Sequence, residues 1–312
     1  MAFTAAAVPE LTGKTFVITG ANSGIGFAAA KVLAAHNARV VLACRDAAKM
    51  AAAAQLIRAE SPSASVEEVT LDLGSVAAVR AAASEIARRY PRIDVLVNNA
   101  GVMFLPYRET LDGVEMQFGT NHLAHFALTG LLLPQLLAAQ APRVVNVSSI
   151  FHAMGTLAID DIPKPRVYDE QHAYGMSKLA NLLFTYELDR RAKAAQTKLL
   201  SVACHPGYSA TNLQGVGPRM SGSMLMGAIM GVGNAVFAQS AEMGALPTLY
   251  AAVEPNVRGA EYIGPRAFFG MRGYPVVSQS NAASRNFDSA RALWEVSERL
   301  TKVRFEFAAA GR

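Results

Sequence analysis

The run Thr19-Gly20-Ala21-Asn22-Ser23-Gly24-Ile25-Gly26 constrains this chain more than any other segment. It directly follows the apolar run Phe16-Val17-Ile18 and opens the helical pattern of Gly24 to Ala35. A glycine-rich turn between a first strand and a helix gathers free backbone N–H groups at the positive end of the helix dipole. Glycines keep that place clear of Cβ atoms, so a pyrophosphate can approach the backbone. A tight turn without a ligand is the plainer alternative. The strand–loop–helix context favours phosphate binding through Gly20, Asn22, Ser23, Gly24, Ile25 and Gly26.

The pattern around the loop continues in the same style. Short β-rich runs (Val40 to Leu42, Val66 to Leu71, Val95 to Val97, Val144 to Val147, Leu199 to Ala203) alternate with helical stretches. The helices are expected at Ala47 to Ala59, Val76 to Arg88, Leu123 to Leu137 (with Pro134 limiting its regularity near the end), Leu179 to Ala194, Ala241 to Val253 and Asp288 to Leu300. A short strand at Glu261-Tyr262-Ile263 is expected at the sheet edge. Such alternation predicts an α/β fold, a doubly wound parallel sheet of the Rossmann type with helices on both faces. A length of 312 residues allows two domains. No linker or repeat divides the chain, so a single dinucleotide-binding domain over 1–312 is expected. Its core would span about residues 10–265, with 266–312 a C-terminal extension.

Composition narrows the function classes. Hydrophobic residues make up 52% and charged residues 17%, which excludes wholesale disorder. The net charge of +5 is scattered, with no basic block of the kind a nucleic-acid surface needs. Cys44 and Cys204 cannot build a disulfide framework, and no metal-type Cys/His spacing occurs. A cytoplasmic protein is the expectation, without bound metal and without nucleic acid. Mean hydropathy is +0.21, yet the longest apolar stretch, Met224 to Ala238, is broken by Gly227, Gly231, Gly233 and Asn234. No spanning helix is expected there.

A second constellation carries chemistry. In Tyr174-Gly175-Met176-Ser177-Lys178 the phenol and the ammonium are four residues apart, hence on one helix face. A free tyrosine is a weak base at neutral pH, and a nearby cation lowers its pKa. Such a tyrosine can give a proton to a carbonyl oxygen or take one from an alcohol. Tyr168 shows how ordinary the spacing is by chance, since His172 follows it at the same interval.

The Thr19-Gly20-x-x-x-Gly24-Ile25-Gly26 loop, Asn98-Asn99-Ala100-Gly101 and Tyr174-x-x-x-Lys178 together resemble the short-chain dehydrogenase/reductase family. Ala43-Cys44-Arg45-Asp46, Asn121-His122-Leu123 and the long Ser149–Tyr174 interval resemble its retinol dehydrogenase-like branch and bacterial oxidoreductase relatives. The resemblance covers about residues 10 to 265. It implies an NAD(P)-dependent oxidoreductase that moves hydride between nicotinamide and a carbonyl or alcohol. Tyr174 would be the general acid/base, Ser149 would orient the substrate oxygen, and Lys178 would bond the nicotinamide ribose. Asn121 would hold a water near the lysine. Alternatively it is a buried asparagine that kinks its helix. Asp72 and Leu73 would meet the adenine, and Asn99, Ala100 and Gly101 would border the cofactor. Pro206, Gly207 and Thr211 would lie beside the carboxamide. Cys44 stands where NAD-selective members carry an acid, and Arg45 follows it. A guanidinium can hold a ribose 2′-phosphate, so NADP is expected over NAD. A plain surface pair of Arg45 with Asp46 is the alternative.

Asn98 is expected to brace strands. Ser148 is expected in a structural role or near the cofactor, His122 and His125 in packing or at the surface, and His205 in a structural role. Asn37 stands where the family often has glycine, and asparagine tolerates a left-handed helix end. Met220, Met224, Met226 and Met230 follow the Thr211 loop, where family members carry a substrate lid. They suit a small hydrophobic carbonyl or alcohol substrate, although core packing or peripheral membrane contact fits them too. The helical stretches at 123–137 and 179–194 are where family members associate, so a homo-oligomer is possible; core burial would explain the same faces. A non-catalytic NAD(P)-binding sensor on the same fold remains the competing function.

Overall fold

The computed structural model describes residues 2–162, 164–208 and 239–307. Thr211 and the Met/Gly-rich segment lie outside the described residues. Eight strands form one sheet in the order β3-β2-β1-β4-β5-β6-β7-β8. They are β1 (Thr15–Thr19), β2 (Arg39–Cys44), β3 (Ser65–Thr70), β4 (Val95–Asn98), β5 (Arg143–Val147), β6 (Leu200–Cys204), β7 (Tyr262–Ala267) and β8 (Arg272–Ser278). The first seven run parallel, and β8 pairs antiparallel with β7. The order reverses between β3-β2-β1 and β4-β5-β6, which opens a crevice at the carboxyl ends of β1 and β4.

Strands buried on both faces explain the short apolar runs. Phe16 and Ile18 face a core with α1 (Gly24–Ala35) and α2 (Ala47–Glu60). Val17 and Leu96 face the opposite core with α3 (Val76–Arg89). Asp46 and Ser75 cap α2 and α3 by accepting from Lys49 N and Ala78 N. Asn37 ends the first helix at φ 66°, the left-handed position expected of it.

Three expectations need correction. The stretch expected as one helix from Leu123 to Leu137 is broken. It consists of α4 (Met116–Phe118), a π-turn at Gly119–Leu123, α5 (Ala124–Leu131) and α6 (Leu133–Leu137). Pro134 cannot donate to Gly130 and restarts the helix in its first turn. The helix read from Leu179 begins nine residues earlier as α7 (Glu170–Ala194), because the Asp169 side chain caps it by accepting from His172 N at 2.6 Å. The strand at Tyr262 is longer than expected and is not the edge; β8 is.

Two helices complete the layers. α8 (Ala241–Val253) packs with α1 on one face. α9 (Phe287–Thr301) packs on α7 and α5 on the other. Its buried residues Ala290, Leu293, Trp294 and Ser297 recur at helical spacing. Trp294 lies 5.1 Å from the Phe126 ring and 4.5 Å from Phe305. A Cβ on Gly130 would fall 2.7 Å from Val303 and 2.8 Å from Phe305. The apolar faces of α5 and α7 are therefore covered by this chain's own C-terminal segment.

Candidate active site

The glycine loop forms one wall of a cleft of about 640 Å³ at the carboxyl end of the sheet. Gly20 has φ +66°, and a Cβ there would lie 2.9 Å from the Ala100 Cβ. A Cβ on Gly26 would fall 2.4 Å from Asn99 Nδ2. Any side chain at either place would spread β1 from β4. The Thr19 hydroxyl ties these ends together, accepting from Asn99 N and Ala100 N at 2.9 Å each. The Asn99 amide donates to Thr19 O at 2.8 Å, so its side chain braces the loop and does not line the cleft. Asn98 braces the strands as expected, donating to Thr129 and to Asn146.

Gly20, Asn22, Arg45, Asp72, Leu73, Ala100 and Gly101 all line this cleft. Ser23 caps α1 without using its side chain, and no acid stands in the first turn. The loop thus keeps its donors and its positive end for an anion, which fits a dinucleotide. Arg45 is exposed beyond β2. Asp46 instead pairs with Lys49 at 3.3 Å, and among the described residues Arg45 forms no ion pair. Lys49 lines the same end of the cleft, a second cation that the sequence pattern did not single out. Burial raises the Cys44 thiol to about 11. One Asp72 oxygen accepts from Gly74 N at 2.9 Å.

The side chains expected to carry the chemistry meet where β5, α7 and the π-turn converge. Tyr174 and Lys178 share one face of α7, with Lys178 Nζ 5.7 Å from the centre of the Tyr174 ring. Lys178 Nζ donates to Val147 O at 3.0 Å, which anchors it on the end of β5. A Cβ on Gly101 would come within 3.4 Å of that nitrogen, so Gly101 brings the cleft to the lysine. Ser148 donates to Lys178 O at 2.8 Å, and Ser149 is left half-buried beside Tyr174.

The expected electrostatics are reversed at the phenol. Burial pushes Tyr174 up to about 12, with the Ser149 side chain pulling the other way. Burial also pulls Lys178 down to about 8. Both shifts have the same cause, the removal of water from the charged form of each group. Burial thus favours the protonated phenol.

Asn121 sits in the π-turn with its side chain fully engaged. It accepts from Val102 N at 2.7 Å and donates to Val102 O and Ser177 Oγ at 2.9 Å each. Its carbonyl takes His125 Nδ1 at 3.0 Å. The side chain thus braces the π-turn against the segment after β4 and against α7. His125 Nε2 meets Thr19 Oγ1 at 2.9 Å, so the histidine links the π-turn to the glycine loop. His122 bonds Ser297 on α9. His205 accepts from Gly207 N at 3.3 Å and stacks on Tyr262, shaping the Pro206–Gly207 turn.

Two aromatic residues that local patterns do not reveal flank Tyr174. Phe104 and Phe151 set their rings edge-on to it at 5.4 and 5.8 Å. Phe104 adopts φ 53°, and its N–H donates to Gln117 Oε1 at 2.8 Å. His152 follows directly on the serine turn and is buried.

Comparison with known proteins bears on the fold and family. The chain matches the family model described as short chain dehydrogenase over residues 14–219. It is similar to retinol dehydrogenase 13 of Homo sapiens, 38% identical over 291 residues, covering 93% of this chain and 85% of that protein. A crystal structure of an uncharacterized protein from Mycobacterium paratuberculosis matches with a TM-score of 0.81 and 41% identity, covering 98% of this chain and 100% of the other. An NAD(P)-dependent gluconate 5-dehydrogenase from Beutenbergia cavernae, crystallised with bound NADP, matches with a TM-score of 0.61 and 25% identity, over 78% of this chain and 91% of that one. Among the described residues no helix is long and apolar enough to cross a membrane. The chain belongs to the short-chain dehydrogenase family, in its retinol dehydrogenase-like branch, and is an oxidoreductase of that type.

Proposed function

We propose that this protein is an NADP-dependent oxidoreductase acting on an apolar carbonyl or alcohol, with Tyr174 as general acid/base. The observation that carries the reading is the placing of Tyr174 and Lys178 on one face of α7, beside Ser149 and against Gly101 at the cleft. NADP, when bound, supplies or accepts the hydride. Gly20, Asn22, Ser23, Gly24, Ile25 and Gly26 would hold its phosphates, and Arg45 its 2′-phosphate. Ser149 would orient the substrate oxygen by hydrogen bonding. In reduction the protonated Tyr174 hydroxyl would give its proton to that oxygen as the carbonyl carbon becomes an alcohol carbon. In oxidation Lys178 would stabilise the phenolate that accepts the alcohol proton.

The Phe104 and Phe151 rings support an apolar substrate, as does similarity to a protein named for retinol. Tyr174→Phe tests the reading. Turnover of NADPH with long-chain aldehydes or retinoids should vanish while NADPH still binds, as read by fluorescence. Undiminished turnover would overturn the assignment, and activity confined to small polar ketones would overturn the substrate class.

A further inference from the structure

The hairpin between β7 and β8 ends in a feature that the candidate active site does not use. Its tip is Phe268-Phe269, and both side chains stand in solvent, Phe268 69% exposed and Phe269 102%. Single exposed hydrophobics are ordinary, but two adjacent bare rings at a protruding tip form a patch. The backbone beneath them is also unfavourable. Phe268, Phe269 and Gly270 have φ of 50°, 55° and 83°. Gly270 N donates to Ala267 O at 3.2 Å, which makes the two phenylalanines the central residues of the turn. Met271 N also donates to Phe268 O at 3.1 Å, so the loop between the paired Ala267 and Arg272 holds three successive positive φ angles, positions where Gly and Asn are favoured over phenylalanine. The chain thus keeps two rings at strained positions where they gain no burial, and strain of this kind gathers at functional places.

The tip is braced. Tyr208 N donates to Met271 O at 2.9 Å, and Gly273 N donates to Gln239 Oε1 at 3.1 Å. Its charge has one sign. From Tyr262 to Phe287 the sequence contains no Asp or Glu. Arg266 and Arg272, both exposed, flank the tip, and among the described residues neither forms an ion pair. Because β7 is parallel to β6, the tip lies at the same end of the sheet as the Pro206–Gly207 turn; a Cβ on Gly207 would come 2.3 Å from Met271 O.

We propose that Phe268 and Phe269, flanked by Arg266 and Arg272, form a docking tip that inserts both rings into an anionic lipid surface. Apolar rings enter the boundary between headgroups and acyl chains while guanidinium groups meet the acidic headgroups. Docked in this way, the end of the sheet that carries the cleft turns toward the bilayer. That position suits the apolar substrate proposed above, although the docking stands without it.

The test is co-flotation of the full chain with vesicles of roughly 3:1 phosphatidylcholine to phosphatidylserine, against pure phosphatidylcholine. The variant Phe268→Asn/Phe269→Gly removes both rings and installs residues favoured at positive φ, so loss of fold is not a competing explanation. Expected are binding that favours the anionic vesicles, and a fall of roughly tenfold or more in the variant with an unchanged thermal midpoint. Arg266→Ala/Arg272→Ala should lose the preference for anionic vesicles. No binding by the wild type, or equal binding by Phe268→Asn/Phe269→Gly, would overturn the proposal. So would light scattering that shows a dimer in the wild type and a monomer in that variant, since the tip would then serve a second copy of the chain. Turnover of a water-soluble substrate, measured in parallel, reports separately on the proposed function.

Discussion

His152 Nδ1 lies 2.7 Å from the carbonyl oxygen of Ser149. The other ring nitrogen accepts from Asn281 N at 3.2 Å, so Nε2 must be unprotonated and Nδ1 carries the proton. A neutral histidine therefore ties the serine turn to the segment after β8, and burial lowers its pKa in the same sense. His152→Ala should reduce kcat about tenfold with little change in the KM for NADPH, because only the placing of Ser149 is disturbed. His152→Asn, which keeps a donor and an acceptor, should recover part of the loss. Wild-type kcat in His152→Ala would show that the tie is dispensable.

Arg45 governs the choice of cofactor in the proposed reading. Arg45→Ala should raise the KM for NADPH by roughly tenfold or more and leave that for NADH nearly unchanged. Equal effects in steady-state assays with the two cofactors would remove Arg45 from the 2′-phosphate site.

Buried histidines make stability depend on pH. Desolvation lowers His122 to about 3, His125 to about 4 and His205 to about 3. In the unfolded chain these groups bind protons near pH 6.5, whereas the native state resists until far lower pH. Their contribution is complete above about pH 6.5 and declines as pH falls toward 4, by about 1.4 kcal/mol per pH unit for each engaged histidine. Urea unfolding at a series of pH values should show this decline well before most carboxylates titrate. His122→Asn should make the slope shallower. Equal stability at pH 7 and pH 5 would contradict the account.

Trp294 holds the C-terminal helix to the body of the protein. It is 2% exposed among Phe126, Phe184 and Phe305, with the Arg191 guanidinium 4.3 Å above its ring. Trp294→Ala should cost about 3–5 kcal/mol. Calorimetry should show a lower midpoint with cofactor affinity retained at low temperature. An unchanged midpoint would mean that α9 contributes little to stability.

Much of the fold was legible because its signals are local. β1, the glycine loop and α1 are consecutive, and Tyr174 and Lys178 lie one helical turn apart. Asp46, Ser75 and Asp169 mark helix starts by bonding to backbone three residues away. Pro134 marks the irregularity near the end of the 123–137 stretch, but the early start of α7 is not legible, since it depends on the hydrogen bond of a single residue rather than on apolar periodicity.

By itself, then, the sequence determined a parallel sheet with a glycine-rich first turn opening a helix and a tyrosine–lysine pair on one helix face. Sheet order, burial and distant contacts were decided by tertiary structure. His152 meets Asn281 across 129 residues and His122 meets Ser297 across 175, spacings that no local pattern encodes. Burial bears on the Tyr174 pKa in the same way. Charge spacing along α7 favours a lowered value, whereas packing that removes water from the phenol pushes it up, and only the tertiary structure supplies that packing.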